Sequence, residues 1–277
     1  MTTASAAAPA PSDALAGRAA IRSRRRAGLA VLLLSAVLLP FVLSGYHIFQ
    51  ITTVLIYAIA LLGLNMLTGY NGQISLGHGA FYAIGAYTTA ILTAQFDVPY
   101  WATIPAAGAI CLAVGFLFGL PALRLEGLYL ALATFALALA APQLLKFKAF
   151  DQWTGGTQGV LVDKPDAPFG LPLTGDQWLY FVCLLCAVLL FWAGANLLSG
   201  RTGRAIVAIR DHPTAAETMG VNTALYKSLT FGVSALYTGV AGALSALATG
   251  FVAPDSFPLF LSLSFLVGIV AGGLASI

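Results

Sequence analysis

The chain has 277 residues, of which 59% are hydrophobic and 8% charged, with a net charge of +3. A soluble domain carries roughly a quarter charged residues, and so few charges cannot coat a water-exposed exterior of this size. These proportions, with a mean hydropathy of +0.90, exclude a cytosolic enzyme, a nucleic-acid-binding domain and a disordered chain, and leave an all-α polytopic membrane protein.

Residues 1–17 are rich in Ala, Ser, Pro and Thr, and Arg18, Arg22, Arg24, Arg25 and Arg26 follow. Together 1–26 read as a disordered basic tail, ahead of a membrane domain over 27–277. Ser23-Arg24-Arg25 faintly resembles a twin-arginine export signal. No small-residue cleavage site follows the apolar run closely, so an uncleaved first helix held by cytoplasmic arginines is the better reading.

From Arg26 the next charge is Asp97, 70 residues uncharged. Further uncharged stretches run over 98–123, 127–145, 177–200, 228–254 and 256–277. A helix crosses the hydrocarbon layer in about 20 residues. Strands of a membrane barrel would alternate polar and apolar, and runs such as 27–39 and 181–193 do not. About eight transmembrane helices are predicted: 27–45, 48–68, 74–94, 101–121, 127–145, 178–199, 226–250 and 257–277. With the N-terminus inside, 10 of the 13 basic residues fall on the cytoplasmic side, as the positive-inside rule requires. Trp101, Trp153 and Trp178 fall at the external interface. A crowd of glycines at 69–85 is the weak point, because a re-entrant segment there would change the parity.

Cys183 and Cys186 form a C-x-x-C, but no His or carboxylate is near them in sequence. They read as small packing residues, and no metal site is predicted. Two hydrophilic segments remain. The external one, 146–177, sets Lys146, Lys148 and Lys164 against Asp151, Asp163, Asp166 and Asp176, and three prolines deny it a long helix. The cytoplasmic one, 200–225, holds Arg204, Arg210, Asp211, Pro213, Ala215, Ala216, Glu217 and Gly220. Pro213 is a helix-start signal and Gly220 a stop signal, framing about two turns of helix over 213–219. A short capped helix with a small Ala face suits docking to a cytoplasmic partner; an ordinary basic loop is the plainer alternative.

The spacing from Ala215-Ala216 to Gly220 resembles the E-A-A-x-x-x-G loop of bacterial ABC importer permeases, with Thr214 in place of the Glu. The segment 63–81, which includes Asn65 and Gly69-Tyr70-Asn71-Gly72-Gln73-Ile74-Ser75-Leu76-Gly77-His78-Gly79, resembles the branched-chain amino acid importer permeases, especially their M-type subunit. Leu123-Arg124-Leu125-Glu126-Gly127-Leu128-Tyr129, Thr154-Gly155-Gly156-Thr157-Gln158-Gly159, Gly203-Arg204-Ala205, Ala215 to Gly220 and Pro254-Asp255-Ser256-Phe257 continue the likeness in order over 48–277. A Gly-Glu pair usual in the span after Leu128-Tyr129 is missing, since 135–141 is wholly apolar. Such permeases also continue past a glycine-rich segment like Gly272-Gly273, so a truncated chain is an expectation.

The resemblance implies a type II ABC importer permease fold. The implied partners are a second, H-type permease, two cytoplasmic ATPases that carry the ATP, an external substrate-binding protein and the lipid bilayer. It implies an inner-membrane location and that 200–225 couples to the ATPases. Asn65, Asn71, Gln73, Ser75 and His78 then become candidates for the wall of a translocation path, or for a packing seam whose polar groups are satisfied by neighbouring helices. Thr154, Gly155, Gly156 and Lys164 become candidates for docking the binding protein. Branched-chain amino acids are the leading substrates, with urea or short amides admitted by the same family.

No catalytic constellation appears. The four lysines all lack a preceding glycine, so no Walker A motif exists and no cofactor is expected on this chain. A gradient-driven carrier usually places ionisable residues inside its spans, and only His78 is there. That tilts the reading towards a partner ATPase, with a self-sufficient channel or carrier, or a non-transporting scaffold, as alternatives.

Overall fold

Stretches that carry no charge over 18 or more residues have one way to satisfy their backbone in hydrocarbon, the helix, and the computed structural model is built of helices. It describes residues 28, 31–123, 125, 127–168 and 172–276. The predicted tail 1–26, and Arg124 and Glu126, lie outside the described residues. The chain divides into two units, Met1–His47 and Ile48–Ile277, where sequence reading sets the boundary at 26. The described residues of the first contain one short apolar helix, α1 (Val31–Phe41).

The helices that follow are α2 (Gly45–Asn65), lengthened by a wide π turn Met66–Tyr70, α3 (His78–Phe96), α4 (Tyr100–Ala122), α5 (Leu128–Leu145), α6 (Asp151–Thr154) and α7 (Gly175–Ser199). After them come α8 (Arg201–Asp211), α9 (Pro213–Thr218), α10 (Thr223–Thr249) and α11 (Leu259–Gly272). Two short strands, β1 (Val160–Leu161) and β2 (Phe251–Val252), pair antiparallel with Val160 opposite Val252. Among the described residues six helices are long and apolar enough to cross a membrane, over Gly45–Tyr70, Tyr100–Pro121, Leu128–Leu145, Gly175–Ser199, Thr223–Thr249 and Pro254–Gly272. Eight spans were expected. The other two positions hold α1, which is short as described, and α3, whose His78, Tyr82, Tyr87, Thr88, Thr89, Thr93 and Gln95 lower its hydropathy.

The axis of the second unit is α10, buried along most of its length and flanked by α3 and α4. Without a hydrophobic driving force between helices in lipid, contact depends on close van der Waals fit, and small residues permit it. A Cβ on Gly85 of α3 would strike the carbonyl of Gly239, and one on Gly242 the carbonyl of Tyr82. On the other flank, a Cβ on Gly115 of α4 would meet the Ala235 methyl. Aromatic rings fill what the glycines leave: Tyr82 lies 5.5 Å from Phe265, and Phe81 5.8 Å from Phe231, between ring centroids.

Cys111 sits in the α4–α10 seam against Gly239, and Cys183 and Cys186 are free thiols on α7. At the β1–β2 end, α7 starts with a reciprocal cap between Thr174 and Gln177, and the Trp178 indole donates to the Tyr100 hydroxyl at 3.0 Å. Before α7, the described residues of the segment from 146 form α6, a 3-10 turn Lys148–Phe150 and β1, and no long helix.

The predicted third span begins later than its sequence suggests. From 71 to 77 the backbone is not helical, and α3 starts at His78. His78 lies beside Ser234 of α10, eleven residues into that helix, so irregular backbone enters the interior of the bundle. Hydroxyls of surrounding helices cover its end and the first turn of α3. Thr134 of α5 accepts from the Leu76 N–H at 2.9 Å, and Ser262 of α11 accepts from the Gly79 N–H at 2.9 Å. Non-helical backbone at this depth is tolerated only under such cover.

Candidate functional site

Helix α8 is amphipathic. Gly203, Ile206 and Ile209 recur at helical spacing and are buried, while Arg201, Arg204, Ala208 and Arg210 are exposed. His212 breaks the helix and Pro213 opens α9 at its first position, where a missing N–H costs nothing. Of α9 only Ala216 is buried, at 5% exposure; Ala215 and Glu217 face outward. The helix closes in a Schellman turn: the Val221 N–H reaches the Ala216 carbonyl at 3.0 Å and the Gly220 N–H reaches that of Glu217 at 2.9 Å. Gly220 takes φ +84 with open space where a Cβ would stand. The Thr223 hydroxyl donates to the Glu217 carboxylate at 2.5 Å, tying α9 to the start of α10.

Sequence reading missed Met219 at the tip of this turn, 86% exposed. Its signal was available: a large apolar residue placed directly before a helix-stopping glycine.

Arg210 links this exposed pair to the glycine-rich segment. Its Nη1 donates to the Gly69 carbonyl at 2.9 Å, and its Nε to Asp211 at 3.0 Å. Gly72, at φ +73, lets the Arg210 stem pack where a Cβ would come within 2.9 Å of Cγ. Arg210, Pro213, Asn71 and Gln73 line one cavity of about 180 Å³.

The five candidate path residues therefore occupy three settings. Asn65 clamps the segment after α11, with its Oδ1 accepting from the Ala275 N–H at 2.9 Å and its Nδ2 donating to the Ser276 carbonyl at 2.8 Å. Asn71 and Gln73 face the cavity under α8. Ser75 and His78 form a buried chain: Ser75 Oγ to His78 Nδ1 at 3.0 Å, His78 Nε2 to Ser234 Oγ at 2.6 Å, and Ser234 Oγ donating to the Gly63 carbonyl at 2.6 Å. Ser234 gives its single proton to Gly63, so towards His78 it accepts, and Nε2 carries the hydrogen. Ser234, Thr134 and Ser262 were not foreseen, since nothing local marks a lone hydroxyl in an apolar helix.

At the opposite end of α10, Thr154 is buried and its hydroxyl donates to the carbonyls of Leu145 at 2.9 Å and Phe150 at 3.0 Å. Gly155 and Gly156 take φ +68 and +54, and the place of a Gly156 Cβ is filled by the Asp151 carboxylate. This motif builds a turn. Lys164 stands apart from it, exposed and paired with Asp176 at 3.0 Å. Lys146 pairs with Asp255 at 2.5 Å. Near that pair lies a cavity of about 390 Å³ lined by Tyr57, Tyr82, Ser245, Thr249, Ser256 and Phe257 among others, with no carboxylate or ammonium among the described residues of its wall. Among the described residues no group of three His, Cys, Asp or Glu side chains is placed to hold a metal ion.

Residues 47–277 match the family model described as branched-chain amino acid transport system / permease component. The high-affinity branched-chain amino acid transport system permease protein LivM of Salmonella typhimurium (strain LT2) is 35% identical over 271 residues, covering 90% of this chain and 63% of that protein. LivM of Escherichia coli (strain K12) is likewise 35% identical, with the same coverage. The chain thus spans less than two thirds of the length of these relatives. No solved structure gives a significant match.

Proposed function

The chain belongs to the family of branched-chain amino acid transport permease components, and from that premise we propose that it is a permease subunit of an ATP-driven importer for branched-chain amino acids in the bacterial inner membrane. Its partners are a second permease, two cytoplasmic ATPases and an external binding protein. The α8–α9 end faces the cytoplasm, because that end carries Arg201, Arg204, Arg210 and Lys227 while the β1–β2 end meets the outside. ATP is bound by the partners, since this sequence has no glycine-lysine phosphate loop.

One observation carries the reading: the exposed α9 and Met219 are joined through Arg210 to the Gly69 carbonyl. A push on α9 reaches the glycine-rich segment inside the bundle directly, as a rigid movement of packed elements. The 390 Å³ cavity at the outer end suits a solute with an apolar side chain. Its wall holds no fixed charge, so it binds weakly and leaves selection to the external binding protein.

The test is leucine uptake by vesicles containing this chain with its co-purifying partners. Uptake is expected to require ATP and to vanish in Gly220→Trp, with membrane insertion intact. ATP-independent uptake by vesicles holding this chain alone would overturn the reading in favour of a self-sufficient carrier.

A further inference from the structure

The cavity under α8 holds polar groups that the proposed coupling from Arg210 to Gly69 does not use. Asn71 is 3% exposed, and neither its Nδ2 nor its Oδ1 has a hydrogen-bond partner. Buried amides are almost always paired, so an orphan on a cavity wall marks a place where a partner belongs. Lys227 lines the same cavity and makes no ion pair among the described residues. The Arg210 charge is balanced by Asp211, which leaves Lys227 as the excess charge among the described residues of the wall. The third wall is the amino end of α5. Gly127 lines the cavity at φ +54 with nothing within 4 Å of its missing Cβ, and the 18-residue helix has no acidic residue in its first turn. Its first amide groups have no carbonyl behind them and carry the positive end of the helix dipole.

We propose that this cavity is an anion site for a phosphate group that also bears a hydroxyl. The phosphate oxygens meet Lys227, the α5 amides and the Asn71 Nδ2, and the hydroxyl donates to the Asn71 Oδ1. Two sources share this chemistry: free hydrogenphosphate, and the glycerol phosphate headgroup of an anionic lipid. The cavity touches Arg210 and Pro213, so its occupant braces the α8–α9 elbow against the glycine-rich segment. The inference does not depend on what the permease carries.

Thermal unfolding of the full chain in neutral detergent tests it, with sodium phosphate, phosphatidylglycerol or phosphatidylcholine added against sodium chloride of equal ionic strength. A saturable rise in melting temperature is expected. A rise with phosphate as well as phosphatidylglycerol assigns the free ion; a rise with phosphatidylglycerol alone assigns the lipid headgroup. Lys227→Gln is expected to lose most of the shift with its unliganded melting little changed. Asn71→Leu is expected to lose the shift and to melt higher than the parent without ligand, because an unpaired buried amide has been removed. No shift beyond chloride and phosphatidylcholine, or a shift retained in Lys227→Gln, would overturn the site.

Discussion

Of the three histidines, His78 is the one buried in the bundle interior, at the start of α3, and its bonds decide what it does. Both ring nitrogens are engaged by serine hydroxyls, Ser75 and Ser234, and Ser234 passes the chain to the Gly63 carbonyl. Ser234→Ala removes two of these bonds and leaves the Nε2 hydrogen without an acceptor. A loss of about 1–3 kcal/mol is expected for an unmade buried bond, read from thermal or denaturant unfolding in detergent. Ser75→Ala should cost less, because it withdraws a donor from a ring nitrogen that can remain an unfilled acceptor and otherwise removes only a long 3.3 Å bond from the Gly77 N–H. Equal losses would mean that the ring is held by packing against Phe81 and Phe231 and not by its hydrogen bonds. Gly220 poses the opposite case. Space around it is open, so its penalty is conformational: Gly220→Ala should lower stability by about 1–2 kcal/mol, the cost of a left-handed backbone for an L-residue, with Gly220→Asn milder.

Between elements, the glycine contacts are the strictest constraint. Gly85→Val would drive a branched side chain into the Gly239 carbonyl. Neither backbone can yield, and the α3–α10 seam should open, seen as loss of a single symmetric peak in size-exclusion chromatography. The same substitution at Gly272, where nothing lies within 4 Å, should leave the peak unchanged. The helices were legible from the sequence because absence of charge is itself the signal for a segment in hydrocarbon. α9 was legible because Pro213 and Gly220 frame it by local rules. The start of α3 was not, because the hydroxyls that accept from Leu76 and Gly79 come from Thr134 and Ser262, 58 and 183 residues away from them. Helix α8 was overlooked because its charges read as a basic loop, although Gly203, Ile206 and Ile209 carry a helical period. The joining of Arg210 to Gly69 spans 141 residues and has no sequence signature; the two segments were each visible, their contact was not.

For the whole molecule, the proposed orientation rests on where the cations lie, and it is open to direct measurement. Met219→Cys should react with a membrane-impermeant maleimide in inverted vesicles and be silent in intact spheroplasts, while Asp166→Cys should do the reverse. The native thiols give a low background, since Cys111 and Cys183 are buried and Cys186 lies within α7. Reaction of both engineered thiols from the same side would reverse or break the assigned topology.

The glycine seams have a mechanical corollary. Helix α10 has 27 residues, about 40 Å at 1.5 Å per residue, and at Gly85, Gly239 and Gly242 it is clasped closely by α3 and α4. In the proposed transport cycle such a rod would act as a lever. Its short arm is tied to α9 through Thr223 and Glu217, and its far end presents Ser245 and Thr249 to the 390 Å³ cavity. A tilt of about 5° about the near end carries the far end roughly 3.5 Å over that length, more than the diameter of a water molecule. A small rocking at the bottom would thereby be geared up into a larger displacement at the cavity.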